Sequence, residues 1–403
     1  MNSDSVYLVK VEWKNGANNN KYYKMVKNGD GFDVEYGRIG VTKQSTSYPM
    51  SRWNSTYKSK IKKGYVDQTH LVAEEIKKSP SKEFSEIESK VIAEIVNRLQ
   101  SMAKQAIKDN YTISSSNVTQ NMIDEAQKLL TELLGCDILE KFNEVLLELF
   151  KTIPRKMKNV GGNLAKSDSD YGDIIQKEQD LLDVMKGQVV QNVVTEEEET
   201  EEVTDKPTKT ILDTMGLVFE EVTDEEVESI KKSLGSISSK YYKSWRVTNT
   251  RTQKKFNEFI KDNSISDIRM LFHGSRNENW WSIINTGLIL RPQAKVTGKM
   301  FGYGIYFAPK AQKSLGYTSL SGSYWAGGSS KSAFMSLFDV AYGKPYDAHS
   351  FQSRFNSFDY NKLQQASSGA NCLHAHSGSM LRNDEIIVYK EEQLTIKYLV
   401  ELR

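Results

Sequence analysis

Leu271-Phe272-His273-Gly274-Ser275, Gly304-Ile305-Tyr306-Phe307-Ala308 and Glu385-Ile386-Ile387-Val388-Tyr389 follow one another in the last third of a 403-residue chain. Each is a brief apolar run between glycine or polar residues, the pattern of a short buried strand, and Tyr398 to Val400 reads as a fourth. His273 and Glu385 lie 112 residues apart, so only a folded domain can bring them together. The pattern predicts a mixed α+β domain over 210–403. It is not expected to be Rossmann-like: no Walker loop is present, and Gly298-Lys299-Met300-Phe301-Gly302-Tyr303-Gly304 does not match the dinucleotide fingerprint.

The neighbourhood of these motifs carries more. Arg276, Trp280, Ile283, Ile284 and Gly287-Leu288 follow the first, and Val296-Thr297-Gly298, Met300-Phe301-Gly302 and Lys313-Ser314 surround the second. The whole set, in this order, resembles the NAD-binding site of the poly(ADP-ribose) polymerases. The resemblance implies NAD as co-substrate, no metal, and a role for each residue. Loss of nicotinamide builds positive charge on the ribose, as in glycoside hydrolysis. Glu385 would stabilise that charge, bond the nicotinamide ribose and orient the acceptor. His273 would bond the adenosine ribose, with Ser275 beside it. Gly274 through its backbone and Ser314 through its hydroxyl would hold the nicotinamide amide, while Tyr306 and Tyr317 would sandwich the ring. Taken singly, each of these residues reads as structural: a satisfied histidine, core or packing tyrosines, a helix-capping serine, a strand-end charge. Only their joint order argues for catalysis.

The triad of His273, Tyr306 and Glu385 matches family members that extend polymers, and Met300 matches the acceptor side. Tyr303 stands where polymerising relatives carry lysine, and Ala348 to Ser379 departs from their pattern. The expected function is protein poly(ADP-ribosyl) transfer activated by nucleic-acid breaks. Mono-ADP-ribosyl transfer is the alternative enzyme, with RNA 2′-phosphotransferase chemistry disfavoured by the helical bundle. A catalytically silent module that binds DNA ends is the reading from another class, and NAD turnover separates it from the rest.

Working back along the chain, Met1 to Asp67 holds twelve Lys/Arg against six Asp/Glu, a balance that favours a polyanionic partner. Val6, Leu8 and Val11 to Trp13 form one predicted strand. Tyr22 to Val26 and Phe32 to Tyr36 form two more, with turns at Asn15-Gly16 and Asn28-Gly29-Asp30-Gly31. Tyr36-Gly37-Arg38 with Ile39-Gly40, Gln44 and Tyr57 to Tyr65 resembles the WGR domain that accompanies polymerase catalytic domains, with Tyr36 in place of the usual Trp. A WGR-like nucleic-acid-binding domain is therefore expected over 1–75. Arg38 would contact phosphate, Lys58, Lys60, Lys62 and Lys63 would support it, and Trp53 would stack on a base or sugar. The competing structural readings are a solvated basic surface for the lysines and a core aromatic for Trp53.

Helical periodicity fills the middle. Ile123, Ala126, Leu130, Leu133 and Leu134 fall on one stripe ending at Gly135. Asp137 with Glu140 reads as a capping box opening a second stripe of Phe142, Val145, Leu146, Leu149 and Phe150, stopped by Pro154. Ile174, Ile175, Leu181, Leu182 and Met185 mark a third. Periodicity alone gives a helical bundle. Leu149 to Pro154 resembles the helical regulatory domain of DNA-dependent polymerases, expected here over 85–194 and implying restricted NAD access until the bundle opens. Glu196 to Glu199, Glu201 and Glu202 then read as a solvated acidic linker over 195–209, whose carboxylates could accept automodification. The expected architecture is thus a multidomain α+β chain: a small β-rich domain, an α-helical bundle and a mixed α/β ADP-ribosyltransferase domain over 210–403.

Composition sets outer bounds. With 38% apolar and 26% charged residues, the chain offers no run long enough to span a bilayer and no signal-peptide core, so an intracellular protein without a membrane partner is expected, nuclear if its source has a nucleus and otherwise cytoplasmic. DNA with strand breaks and protein acceptors are its expected partners. Cys136 and Cys372 support neither a disulfide framework nor a structural zinc site. His374 and His376, near Cys372, offer metal-ligand types, but the reading preferred for them is a polar loop.

Overall fold

A computed structural model of the chain describes residues 4–14, 17–40, 43–69, 84–111, 119–197, 209–290, 300–378 and 381–403. The Asn15-Gly16 turn, Val296-Thr297-Gly298 and the acidic residues beyond Glu197 lie outside these. The chain forms two units, Met1–Lys82 with Lys104–Val189 and Glu83–Ala103 with Val190–Arg403.

In the first unit, the alternation of apolar and polar residues over Ser5–Lys14 (β1) and Ala17–Asn28 (β2) lays two long antiparallel strands side by side. Gly31–Arg38 (β3), Gln44–Pro49 (β4) and Val66–Asp67 (β5) complete a sheet of order β4-β3-β2-β1-β5. Gly29, at φ 55°, supplies the left-handed residue of the β2–β3 turn. Val6, Leu8, Tyr23, Met25, Phe32, Val34 and Trp53 form the core beneath the sheet.

The predicted helical stripes lie at Gln120–Leu133, Leu139–Thr152 and Tyr171–Glu197, burying Ile123, Ala126, Leu130 and Leu133 on the first and all five apolar positions on the second. Two expectations change. The cap residue of Leu139–Thr152 is Ile138, which makes no side-chain cap bond, so Asp137 does not form the expected capping box. Helix Tyr171–Glu197 also runs past residue 195, so Thr195 to Glu197 continue it instead of opening a linker. The helices are tied to the sheet by polar groups as well as packing: the buried Asn20 side chain donates to the carbonyls of Arg155 (2.9 Å) and Met157 (3.3 Å).

The second unit holds two sheets. Leu217–Glu221 (β6), Tyr241–Asn249 (β7), Ile268–Gly274 (β8), Ala333–Ala341 (β10) and Leu394–Leu402 (β14) form an antiparallel sheet of order β6-β7-β14-β10-β8. Ile305–Phe307 (β9), Pro345–Ala348 (β11), Cys372–Ala375 (β12) and Glu385–Val388 (β13) form the second, of order β11-β12-β13-β9. Phe272 and Ala308 exchange both backbone hydrogen bonds, at 2.9 and 3.0 Å, and so join β8 to the chain just past β9. Strands β10, β13 and β14 are almost wholly buried, which explains their near-continuous apolar sequences. Helix Lys90–Asn110 contributes its first part here: Arg98 makes a bidentate pair with Glu401 of β14, at 2.9 and 2.8 Å. Among the described residues, neither of these sheets is a parallel doubly wound one, in agreement with the non-Rossmann expectation.

Candidate active site

The link between β8 and β9 places the first two sequence motifs together, and β13 brings the third beside them. Tyr306 stands opposite Ile387 in the β9–β13 register, two residues along from Glu385. His273 directs Nδ1 at the carbonyl of Tyr306, 3.0 Å away. A carbonyl only accepts, so Nδ1 carries a proton. Trp280, Phe307 and Phe338 enclose the imidazole at centroid distances of 5.8–6.5 Å.

Gly274 ends β8 where a Cβ would lie 2.0 Å from the carbonyl oxygen of Ser314. Only glycine allows the strand to press this closely on helix Ala311–Leu315. That helix carries two groups into the site. The buried Ser314 hydroxyl donates to the carbonyl of Phe272 at 3.1 Å, so toward a ligand it can only accept. Lys313 places Nζ 2.6 Å from Oε1 of Glu385, whose side chain is 11% exposed. The Ser275 hydroxyl accepts from Asn279 at 3.0 Å.

The Tyr306 hydroxyl is held twice: it donates to the carbonyl of Gly302 and accepts from the amide of Phe301, each at 3.0 Å. Burial, with the Glu385 charge adding to it, raises this phenol well above its ordinary range. Burial and the same carboxylate push Tyr317 up to about 12. One face of Tyr317 stacks on Trp325, with centroids 6.2 Å apart and planes 16° from parallel.

The proposed nucleic-acid residues do not gather in this way. The Arg38 guanidinium donates to Asn18 O (3.0 Å), Asn18 Oδ1 (3.1 Å), Met157 O (3.3 Å) and Lys158 O (2.6 Å), all within its own unit. Trp53, expected on the surface for base stacking, is a core residue, 7% exposed and edge-on to Phe32 at 5.1 Å. Helix Trp53–Lys62 needs one large apolar side chain to fasten it to the sheet, and Trp53 supplies it. Lys60 is drawn over the ring of Tyr23, 3.8 Å from its centroid, and burial lowers its pKa. Lys58, Lys62 and Lys63 remain at the surface, with Lys58 and Lys62 one turn apart on the same helix.

Three features escaped the sequence reading. Lys313 was legible as part of a motif but not as the partner of Glu385, because their contact joins positions 72 residues apart. Trp325, 62% exposed, had a visible signal in the aromatic pair Tyr324-Trp325 set in a Gly/Ser-rich stretch. His374 lies on a strand, β12, and not in the polar loop expected of it.

A family profile, the poly(ADP-ribose) polymerase catalytic domain, matches residues 224–403. Among proteins of known sequence, the chain is similar to the uncharacterized protein 101L of Invertebrate iridescent virus 6, with 36% identity over 44% of this chain and 75% of that protein. It is also similar to the poly(ADP-ribose) polymerase-like protein 100L of the same virus, with 30% identity over 46% of this chain and 99% of the viral one. Poly(ADP-ribose) polymerase 2-A of Oryza sativa subsp. japonica is 28% identical over 45% of this chain and 31% of its own length. The second unit thus contains an NAD+ ADP-ribosyltransferase domain. The chain belongs to the poly(ADP-ribose) polymerase family.

Proposed function

We propose that this protein cleaves NAD+ and transfers ADP-ribose to proteins, itself included, extending the product into poly(ADP-ribose) when nucleic-acid breaks engage its first unit. What supports the reading is that His273 bonds Tyr306 on β9, which pairs with the strand that carries the Lys313-paired Glu385. Nicotinamide leaves as a neutral molecule and needs no strong acid. What the site must supply is negative charge beside the forming oxocarbenium ion, which Glu385 provides. Residues 85–194 restrict NAD+ access in the resting protein, and the basic surface around Lys58, Lys62 and Lys63 receives the phosphate backbone. The compartment is the nucleus if the source has one, and the cytoplasm otherwise.

Incubating the purified protein with labelled NAD+, with and without nicked or 5′-phosphorylated DNA, and resolving products by size tests the reading. DNA-stimulated long products support it. Unstimulated turnover refutes the activation step, and an unchanged basal rate after deleting Ser85 to Val190 refutes the restraint. Single transfer is the second reading, supported by Tyr303 at a position where polymerising relatives carry lysine, and short products would decide for it.

A further inference from the structure

Beside the active site, on strands β11 and β12, lies a cluster that the transfer reaction does not use. His374 on β12 and His376 just past its end are two residues apart in extended chain and so face the same way. Their rings stack at 3.9 Å between centroids. Asp347 is the register partner of His374 on the parallel strand β11. Asp347 Oδ1 lies 2.7 Å from His376 Nε2 and 4.0 Å from His374 Nδ1. One donor atom from each of the three residues falls within 4.8 Å of the other two.

We propose that Asp347, His374 and His376 bind one divalent transition-metal cation of the zinc type, with Asp384 holding the His374 imidazole from behind. Tetrahedral donors about 2.1 Å from a zinc ion stand about 3.4 Å apart, between the 2.7 and 4.0 Å seen here; on binding, the two imidazoles unstack so that their in-plane lone pairs converge, and the cation replaces the proton that His376 Nε2 donates to Asp347. Two imidazole nitrogens and one carboxylate suit zinc and its neighbours and are wrong for magnesium or calcium, which take oxygen donors. Asp384 supplies for His374 the outer support that a metal-bound histidine uses: its Oδ2 is 3.0 Å from His374 Nε2. With Nε2 donating to that carboxylate, Nδ1 of His374 holds the lone pair, which the Tyr342 hydroxyl approaches at 2.7 Å. A cation would take over this lone pair. Cys372 is not a ligand, since its thiol donates to the carbonyl of Tyr342 at 3.3 Å.

The placement gives the site a consequence. Asp384 immediately precedes Glu385, the register partner of Ala375, which lies between the two histidines. A bound cation therefore fastens β11 and β12 to the chain that presents Glu385, from the opposite face of the sheet.

The test uses the full chain, stripped with a chelator and dialysed, without NAD+, so that its outcome is independent of the catalytic reading. Titration with Zn2+ against a chromophoric chelator should give one equivalent bound, Co2+ should develop visible absorption, and Mg2+ should not compete. Zn2+ at a hundredfold excess over its Kd should raise Tm by roughly 5–10 °C. Asp347→Asn and His376→Gln, each checked for unchanged far-UV circular dichroism, should weaken Zn2+ binding by at least about tenfold. Wild-type protein that binds no Zn2+ in preference to Mg2+ would overturn the proposal, as would full affinity retained in both variants. Since the wild-type titration alone can refute it, misfolding of a variant does not shield the idea.

Discussion

Glu385→Gln keeps the length and hydrogen-bonding reach of the side chain and removes its charge. The carboxylate is 11% exposed and lies 2.6 Å from Lys313 Nζ, so it acts in a poorly hydrated setting where electrostatics are stronger than in water. Two full charges about 4 Å apart interact by about 4 kcal/mol at an effective dielectric of about 20. The ribose develops only part of a charge at the transition state, and Lys313 offsets part of the carboxylate's field, leaving about 2–3 kcal/mol. At 1.36 kcal/mol per tenfold in rate, kcat for nicotinamide release should fall roughly 30- to 150-fold. Binding of NAD+ should change by less than about threefold, because the ground-state contacts assigned to His273, Gly274 and the tyrosines are untouched. The assay is nicotinamide release under saturating NAD+ together with product length on a gel. A variant within threefold of wild-type kcat that makes wild-type chain lengths would refute the electrostatic role of Glu385.

Arg98→Met strands Glu401, which is fully buried, leaving it among the described residues the longer ion-pair contact to Arg403 at 3.5 Å. Removing one member of a buried pair costs about 3–5 kcal/mol, and the partial exposure of Arg98 with the remaining Arg403 contact reduces this to about 2–3. Thermal unfolding of the second unit should drop by roughly 5–10 °C, and the double variant with Glu401→Gln should recover most of that. An Arg98→Met transition within 1 °C of wild type would refute the pairing's importance. Glu226 offers a pH test. Burial works against its charge, yet bonds from the Tyr398 hydroxyl, the Thr223 amide and the Arg246 guanidinium prevail and hold it at about 2, below its ordinary 4.5. A depressed carboxyl stabilises the fold above its unfolded pKa and loses that contribution as pH falls from about 4.5 toward 2. Tm should therefore fall less steeply across this window in Glu226→Gln than in wild type, and parallel slopes would exclude the effect. Lys58→Gln, Lys62→Gln and Lys63→Gln together should weaken DNA binding uniformly across sequences and flatten the log Kd against log[salt] slope by about 3. An unchanged slope would remove this surface from the interface.

The strands around the active site were legible because they are buried on both faces, so that Ile305 to Phe307 or Ile386 to Val388 form short apolar blocks with sharp ends. The helical stripes were legible for the same kind of reason, periodic burial against one neighbour. The errors fall where local pattern and tertiary need diverge. Asp137 has the right residue type for a cap, but the chain enters the helix one residue later, through Ile138. Trp53 sits among lysines that make it look like a stacking platform, yet it is the buried residue by which the short helix joins the core, with Tyr57 packed partly buried against the same cluster. His374 looked like a loop residue because β12 is four residues long and contains alanine and cysteine where a strand usually has branched residues. Its strand character comes from pairing with β11 and β13, which local sequence does not encode. The Lys313–Glu385 pair is equally non-local.

Arg38 raises a different point, since its position fits the motif while its guanidinium is already engaged. It donates to the carbonyls of Asn18, Met157 and Lys158, and Asn18 in turn accepts from the amide of Val160 at 3.1 Å and donates to the carbonyl of Lys158 at 3.1 Å. Arg38 and Asn18 thus form one polar hub that holds residues 157–160 against β2 and β3. A phosphate can engage this guanidinium only by exchanging with those carbonyls. Bonds to charged groups contribute about 1.5–3 kcal/mol net, and a forked phosphate contact is of the same order, so the exchange lies near balance. A ligand that captures Arg38 therefore gains little affinity from it and instead loosens the segment following helix Leu139–Thr152. Under the proposed activation by nucleic-acid breaks, that is the coupling required: binding energy at the basic unit is converted into release of the helices, not into tighter binding.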